Sequence, residues 1–381
     1  MNQVGEFQSG PPWAALITVM GAMLLTASGP QAALGQSQAT PQRTGEELYR
    51  AACSSCHGEN GKGAPQSQLG FDIPLPDFAD CSFASREPDA DWLAVAHDGG
   101  PTRSFSKMMP AFGEALTIAE LERVLSYIRL MCQNPAWPRG ELNLPRPLVT
   151  EKAYPEDEAV LTTVVSAQGS GSVHNEIVYE KRFGARNQLE VVIPFGWRES
   201  GGSEWAAGVG DVAVGLKRVL FHSLEKGAIF SLVTEVALPS GDEEKGFGKG
   251  TVVFEPFAAY GQILPGEFFL HAQGGLELPT DTGKAEREAF WRVALGRSFS
   301  QARWGRSWSP MLEILGAKQL VSTGKTQWDL LPQLQVTLNR RQHVMLNLGV
   351  RLPVTERGSR DTQILIYLLW DWFDGGFLEG W

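Results

Sequence analysis

The stretch CSSCH, residues 53–57, separates two cysteines by two residues and places a histidine directly after the second. Thiols at this spacing can add to the two vinyl groups of a haem, and the neighbouring imidazole can bind the iron. A cysteine pair without the histidine would fit a zinc or redox site equally well. The motif therefore predicts one covalently attached haem c, bound through Cys53, Cys56 and His57.

Helix signals flank this motif on both sides. Thr44 with Glu47 has the spacing of a capping box and predicts a helix that leads into the cysteines. The glycine-rich residues 58–65 predict a turn whose backbone can pass close to a flat cofactor. Thr117 with Glu120 predicts a second capped helix, with apolar residues on one face.

The order of helix, CxxCH, glycine-rich turn, Met-Pro step and final helix resembles a bacterial class I cytochrome c over residues 43–133. That resemblance implies a small all-α domain. The family's MPAFG pattern falls on residues 109–113, which implies that the Met109 thioether is the second axial ligand and raises the redox potential. Met108 and His97 are the alternatives.

Length, charge and the N-terminal residues limit the number of domains, the partners and the compartment of this chain. The 381 residues are too many for one cytochrome, so a further domain is expected. The net charge is −10 and no basic run occurs, which excludes a nucleic-acid partner. An apolar run at 14–27 predicts a signal peptide over residues 1–35, although residues 1–13 contain no lysine or arginine. Export also agrees with haem attachment on the periplasmic side.

Four cysteines are present, and the haem accounts for two of them. In an oxidising compartment, the remaining Cys81 and Cys132 predict a disulfide, with two buried free thiols as the alternative. The bond would close a loop of about 50 residues and stabilise the domain by on the order of 3–4 kcal/mol.

Residues 134–158 contain five prolines and predict a stiff, extended linker. Beyond it, apolar and polar residues alternate strictly, as in 327–339, where Trp328, Leu330 and Leu334 share one face. Twelve such segments are expected, most of them long enough to cross a bilayer at a tilt. They lie at about 159–168, 174–183, 186–195, 208–221, 227–238, 251–264, 266–278, 288–300, 306–321, 326–338, 341–353 and 360–373.

The connections between these segments alternate in length. Residues 184–185 and the single residues Pro265 and Arg340 form short turns, whereas 196–207 and 239–250 form longer polar loops. Outer-membrane barrels have this rhythm, with their short turns and, for an even strand count, both chain ends on the periplasmic side. We therefore expect an all-β antiparallel transmembrane barrel of about twelve strands over 159–381, in contact with outer-membrane lipid. A soluble β-domain is the alternative.

Two resemblances concern this second half. Residues 208–373, with GVGD at 208–211 and LPSGD at 238–242, resemble the outer-membrane channel family linked to phenol degradation. A haem domain followed by a barrel also resembles the fused cytochrome–porins of iron-oxidising bacteria. That likeness implies electron transfer between a periplasmic electron carrier and a partner that is external or delivered through the pore. This partner could be a donor, such as ferrous iron, or an acceptor.

Three functions stay open at this point. The barrel could deliver the donor to the haem; it could act only as a solute channel or anchor while the haem serves periplasmic carriers; or the haem could be a sensor. A 90-residue domain is too wide for a twelve-stranded lumen, so we expect it below the periplasmic mouth. Glu255, Glu267, Glu277 and Asp329 are expected to face the lumen and attract cations. No nucleophile–base pair stands out, so any catalysis is expected to be one-electron transfer at the haem.

Overall fold

The computed structural model describes residues 42–166, 171–200 and 204–372. The predicted signal peptide at residues 1–35 lies outside these described residues. From Arg43 onward the described chain forms one compact unit with a helical part followed by a β-sheet part. Among the described residues, no helix is both long and apolar enough to cross a membrane.

Five α-helices build the first part. They are α1 (Gly45–Ala52), α2 (Ser54–His57), α3 (Cys81–Ala84), α4 (Asp89–Asp98) and α5 (Ile118–Arg129), with short 3₁₀ turns at Gln66–Gln68, Gly100–Arg103 and Gly140–Leu142. Both predicted capping boxes are confirmed, with Thr44 and Thr117 each bonded to the backbone N–H three residues later. Helices α1 and α5 pack together through Tyr49 and Tyr127, whose ring centroids are 5.4 Å apart.

Fourteen strands follow along the described chain. They are β1 (Asp157–Ser166), β2 (Ser172–Phe183), β3 (Asn187–Ser200), β4 (Glu204–Val209), β5 (Ala213–Ser223), β6 (Ala228–Ala237), β7 (Val253–Leu264), β8 (Phe268–Pro279), β9 (Glu288–Arg297), β10 (Phe299–Ser300), β11 (Ser307–Gln319), β12 (Thr326–Thr337), β13 (Val344–Pro353) and β14 (Gln363–Asp371). Strand β1 pairs with both β2 and β14, and β9 pairs with both β8 and β11, so the sheet closes. The short strands β4 and β10 only extend the pairing of β3 and β11. The twelve predicted segments thus form one closed antiparallel barrel.

The alternation along each strand separates an apolar outer face from a polar inner face. On β12, Leu334 is 42% exposed on the outside, whereas its neighbour Gln333 is 6% exposed and points into the barrel. Outward leucines are stable only where the surroundings are apolar, and inward polar groups need hydrogen-bonding partners. This pattern matches a barrel of the membrane type and confirms the predicted direction of the two faces.

The proline-rich segment does not behave as an external linker. Residues 142–156, which we call the plug, enter the barrel beside the helical domain, reach their deepest point near Val149 and return to start β1. Leu142 and Tyr154 are buried together against Val219 and Ile229 near the entrance. Leu148 is buried farther in, against Leu331 and neighbouring apolar side chains. The expectation that residues 134–158 only link the two domains is therefore corrected.

The plug replaces water as the partner of the inward polar side chains. Its backbone N–H groups at Val149 and Thr150 donate to the two carboxylate oxygens of Glu313, at 3.1 and 2.7 Å. The prolines prevent helix or sheet pairing of this segment. Its remaining backbone N–H groups therefore donate to side chains of the barrel wall instead of to backbone carbonyls. A barrel of twelve strands has a lumen too wide for its own side chains to fill, and the plug closes it.

The helical domain packs against the end of the barrel that carries the shorter turns. Arg86 forms an ion pair with Asp157 at 2.9 Å, where β1 begins. Glu87 lies 3.1 Å from Nε2 of His343, in the turn before β13. Both ends of the barrel chain are at this rim, because Glu158 in β1 pairs with Asp371 in β14.

Candidate haem site and barrel interior

The two cysteines of the CxxCH motif lie at the junction of α1 and α2. The N–H of Cys53 donates to the Tyr49 carbonyl at 2.8 Å, and α2 carries Cys56 and His57 on the following turn. Both thiols are free and partly buried, whereas the other two cysteines, Cys81 and Cys132, form the disulfide that the cysteine count predicts. Two reduced thiols one helical turn apart are what thioether attachment of a haem requires.

His57 has the environment of an iron ligand. Its ring stacks on Phe78 with centroids 4.9 Å apart, and its Nδ1 is buried without a hydrogen-bond partner among the described residues. Burial lowers the pKa of the imidazole, which favours the neutral form that binds metals. Burial likewise raises the pKa of the Cys53 thiol to about 11.

The glycine-rich turn holds the chain close to this histidine. Gly61 and Gly63 have φ values of 75° and 81°, which side chains strongly disfavour. A Cβ on Gly61 would also lie 2.3 Å from the Met131 sulfur. The N–H of Gly63 donates to the His57 carbonyl at 2.9 Å, so the turn fixes the end of α2.

The loop with the proposed second ligand is anchored by a tight backbone contact. The N–H of Gly100 donates to the Met109 carbonyl at 3.0 Å, and a Cβ on Gly100 would lie 3.2 Å from the Met109 Cβ. Met109 is partly buried, whereas Met108 is 43% exposed. His97 is engaged through Nδ1 with Asp98 at 2.5 Å. These contacts favour Met109, and its role as ligand stays a prediction.

The residues present fit a covalently bound haem. Cys53 and Cys56 would hold it by thioether bonds, His57 would bind the iron from one side, and Met109 is the candidate for the other. When bound, the haem supplies reversible one-electron transfer. The protein's part is to bind and orient the group and to keep the His57 imidazole neutral.

A dense ion-pair cluster joins the plug to the barrel wall. Arg146 donates through one guanidinium nitrogen to Glu158 and Glu180, at 2.7 and 2.8 Å, and through the other to Glu151 at 3.0 Å. Lys217 lies 3.4 Å from Glu151. The carboxylates of Glu151, Glu180 and Glu190 approach one another within 4.8 Å. Because cations of the protein already bind two of these carboxylates, the cluster is a structural ion-pair network.

A small polar cavity, of about 90 Å³, lies inside the barrel on the far side of Val149 from the helical domain. Among its lining residues, Asp329 binds both Arg351 and Arg360, each at 2.6 Å. Glu255 and Glu277 alternate with outward apolar neighbours and face the lumen, as expected. The expectation for Glu267 is wrong, because this residue is exposed in the turn between β7 and β8 with φ of 64°.

Sequence reasoning missed the plug and its charges. Arg146 and Glu151 lie in a segment whose prolines gave no secondary-structure signal, so the segment was interpreted as a stiff, extended linker. The available clue was the charge density of residues 146–158, where one arginine, one lysine and four acids accompany the prolines. Charges at this density next to an acid-lined lumen fit a segment that pairs with the wall.

Comparison with known proteins adds family information. Residues 157–362 match the family described as "Putative MetA-pathway of phenol degradation", and residues 40–128 match "Cytochrome C oxidase, cbb3-type, subunit III". Among curated proteins, none matches the chain.

Several solved barrels are similar to part of the chain. An outer membrane channel from Pseudomonas putida F1 is 16% identical, with a TM-score of 0.43, and the match covers 60% of this chain and all of that one. KdgM porin in complex with disordered oligogalacturonate is 7% identical, with a TM-score of 0.39, over 56% of this chain and 99% of that one. NanC porin is 6% identical, with a TM-score of 0.40, over the same shares.

The barrel match spans more than half of the 381 residues and coincides with the closed sheet. The cytochrome match coincides with the helical domain that carries CxxCH. The chain therefore belongs to the family described as "Putative MetA-pathway of phenol degradation", and a c-type cytochrome domain is fused in front of its porin-like barrel.

Proposed function

We propose that this protein is a monohaem electron-transfer cytochrome that its barrel anchors in the outer membrane. The haem exchanges single electrons with a carrier in the periplasm. The CxxCH site supplies the redox group, and the apolar outer face of the barrel supplies the anchor. The short-turn rim, where the cytochrome packs, faces the periplasm, as it does in barrels of this type.

The plug is the observation that favours electron exchange from the periplasm over a donor delivered through the pore. It has polar or apolar contacts with each of the twelve long strands, from Glu158 in β1 to Tyr367 in β14. A donor that entered from the far end of the lumen would meet Val149 before it reached the cytochrome. The barrel in this state therefore acts as an anchor, and the haem is served from its own side.

The accessible face of the cytochrome supports the same choice. The contacts that the structure gives between the domain and the barrel come from residues 86–105 and 136–137. Cys53 and helix α2, which carries Cys56, take part in none of these described contacts, and Ser55 between the two cysteines is exposed. A carrier protein can approach the cysteine side of the haem without displacing the barrel.

A second candidate keeps the external donor. The outer half of the lumen presents the neighbouring carboxylates of Glu235 and Glu255 on the far side of the plug. Such a vestibule would concentrate a cation such as ferrous iron at low ionic strength. The electron would then have to cross the plug, or the plug would have to leave the lumen.

One experiment separates the two candidates. In intact cells, the haem is monitored by its absorbance while either an impermeant external donor or a periplasmic carrier supplies electrons. Reduction by the carrier alone supports the anchored cytochrome, whereas rapid reduction by the impermeant donor would overturn it in favour of the conduit.

A labelling control establishes the orientation in the same cells. Glu225 in a short turn and Glu244 in a long loop are both exposed, and each is replaced by cysteine. An impermeant maleimide should label Glu244→Cys and not Glu225→Cys. The reverse result would place the cytochrome outside the cell, and recovery in the soluble periplasm would refute the anchor.

A further inference from the structure

A cavity of about 530 Å³ lies between the cytochrome and the short-turn rim of the barrel. Two turns of the barrel line it, 302–306 before β11 and 338–342 before β13, together with 101–103 of the cytochrome. We call it the rim cavity. Its lining contains no residue of the CxxCH motif and no residue of the plug.

Hydrogen-bond donors dominate the lining of the rim cavity. Arg303, Arg306 and Arg340 are exposed guanidinium groups on the two turns. In a chain of net charge −10, three arginines around one cavity point to an anion.

The acidic side chain in the lining does not neutralise these donors. Asp98 is engaged by Nδ1 of His97 at 2.5 Å on the cytochrome side. Arg103 also lines the cavity, but it is committed to Asp91 and to the Trp304 carbonyl, each at 2.7 Å. Among the described contacts, Arg306 donates through one guanidinium nitrogen to the Leu338 carbonyl at 3.4 Å, so most N–H groups of the three turn arginines remain for a ligand.

The two turns are held in register by direct contacts. Gln342 donates through Nε2 to the Gly305 carbonyl at 3.2 Å, which ties one turn to the other. Arg103 ties the cytochrome to the first turn through Trp304. The cavity is therefore formed by three packed segments, and its donors are positioned before a ligand arrives.

The rim cavity also borders the apolar outer face of the barrel. Leu338 lines it and is 40% exposed, in line with the outward leucines of β12. Arginine-rich sites directly beyond a lipid-facing band suit phosphate groups, which arginine binds in a bidentate manner.

We propose that the rim cavity binds a phosphate ester anion. The phosphate accepts from the exposed guanidinium groups of Arg306 and Arg340. The ester is either the head group of an anionic phospholipid from the adjacent leaflet or a soluble phosphate ester. Both share this chemistry, and the experiment distinguishes them.

The test uses the full-length haem-loaded protein in detergent. Isothermal titration measures the binding of short-chain phosphatidylglycerol and, separately, of glycerol 3-phosphate. The wild type should bind one equivalent of the lipid, and Arg306→Gln with Arg340→Gln should weaken that binding at least about tenfold, because two charge-assisted contacts are lost. The matched control is Arg357→Gln, an exposed arginine on the opposite rim that should leave the affinity unchanged.

The outcomes are distinct. Binding of the lipid alone identifies the membrane as the source, and equal binding of glycerol 3-phosphate identifies a soluble ester. The proposal is overturned if neither probe saturates the wild type, if the double variant keeps full affinity, or if the control loses as much. Should the double variant fold poorly, Arg340→Gln alone replaces it, since this side chain is exposed on its turn.

Discussion

Replacing Arg146 by methionine should release the plug from the barrel. The guanidinium reaches three carboxylates, those of Glu158, Glu180 and Glu151, at 2.7, 2.8 and 3.0 Å. The Arg146 carbonyl also accepts from the Tyr367 hydroxyl at 2.6 Å. Arg146→Met keeps much of the side-chain volume and this backbone contact, and it removes the charge together with the guanidinium hydrogen bonds.

The magnitude follows from the burial of the partners. Glu158 and Glu180 are 1% and 0% exposed, so water cannot take over the role of the guanidinium. Removing one partner of a buried ion pair costs about 3–5 kcal/mol, since it leaves an unpaired buried charge. A cost of about 3 kcal/mol would raise the population of the released plug by on the order of a hundredfold.

Hydrogen exchange of the plug amides measures this release. The N–H of Leu148 donates to Gln333 and the N–H of Glu151 donates to Gln273, at 2.9 and 3.1 Å, so exchange at these positions reports the inserted state. Planar-bilayer conductance should rise in parallel, because the plug contacts every long strand of the lumen.

Two variants make the test specific. Arg218→Met removes an exposed arginine whose described partner is Asn187 on the outer face, and it should change exchange by little. Adding Glu180→Gln to Arg146→Met should restore part of the protection, because it removes one stranded charge. The reasoning is refuted if Arg146→Met leaves both exchange and conductance at wild-type values.

Three further predictions concern the cytochrome. Met109→Ala should abolish the weak Fe–S charge-transfer band of the oxidised protein, whereas Met108→Ala should keep it; the opposite pattern would move the ligand by one residue. Replacing both Cys81 and Cys132 by serine opens a loop with a sequence separation of 51. This change should lower the free energy of unfolding of the domain by about 4 kcal/mol, which is measured as a lower denaturant midpoint. An unchanged midpoint would contradict the prediction. The pKa of Asp91 is raised to about 6, because burial and a neighbouring carboxylate outweigh its arginine partner. The native state thus holds this proton more tightly than the unfolded chain, so stability should fall as the pH rises from about 4 to 6, and Asp91→Asn should flatten that fall in denaturation curves.

The sequence by itself determined the features that depend on near neighbours in the chain. The CxxCH spacing sets two thiols and an imidazole within one helical turn of each other, and the boxes at Thr44 and Thr117 start their helices because the partners are three residues away. Alternation over 327–339 determined which side chains of β12 share a face, since successive side chains of a strand point in opposite directions, and the structure shows which of the two faces is outside. The number of strands and the alternation of short turns with long loops followed from the same local patterns of apolar and polar residues.

Tertiary structure alone decided where the remaining pieces meet. An extended proline segment has no partner of its own, so the site of Arg146 depended on a cavity that exists only after twelve strands have closed. Glu267 continues the alternation of β8 in sequence, yet the turn takes it out of the lumen, because a left-handed φ of 64° reverses the chain there. The rim cavity joins residues 101–103 to a turn about 200 residues later, near Trp304. Contacts at that separation depend on how two domains pack, and neither periodicity nor spacing along the chain encodes that packing.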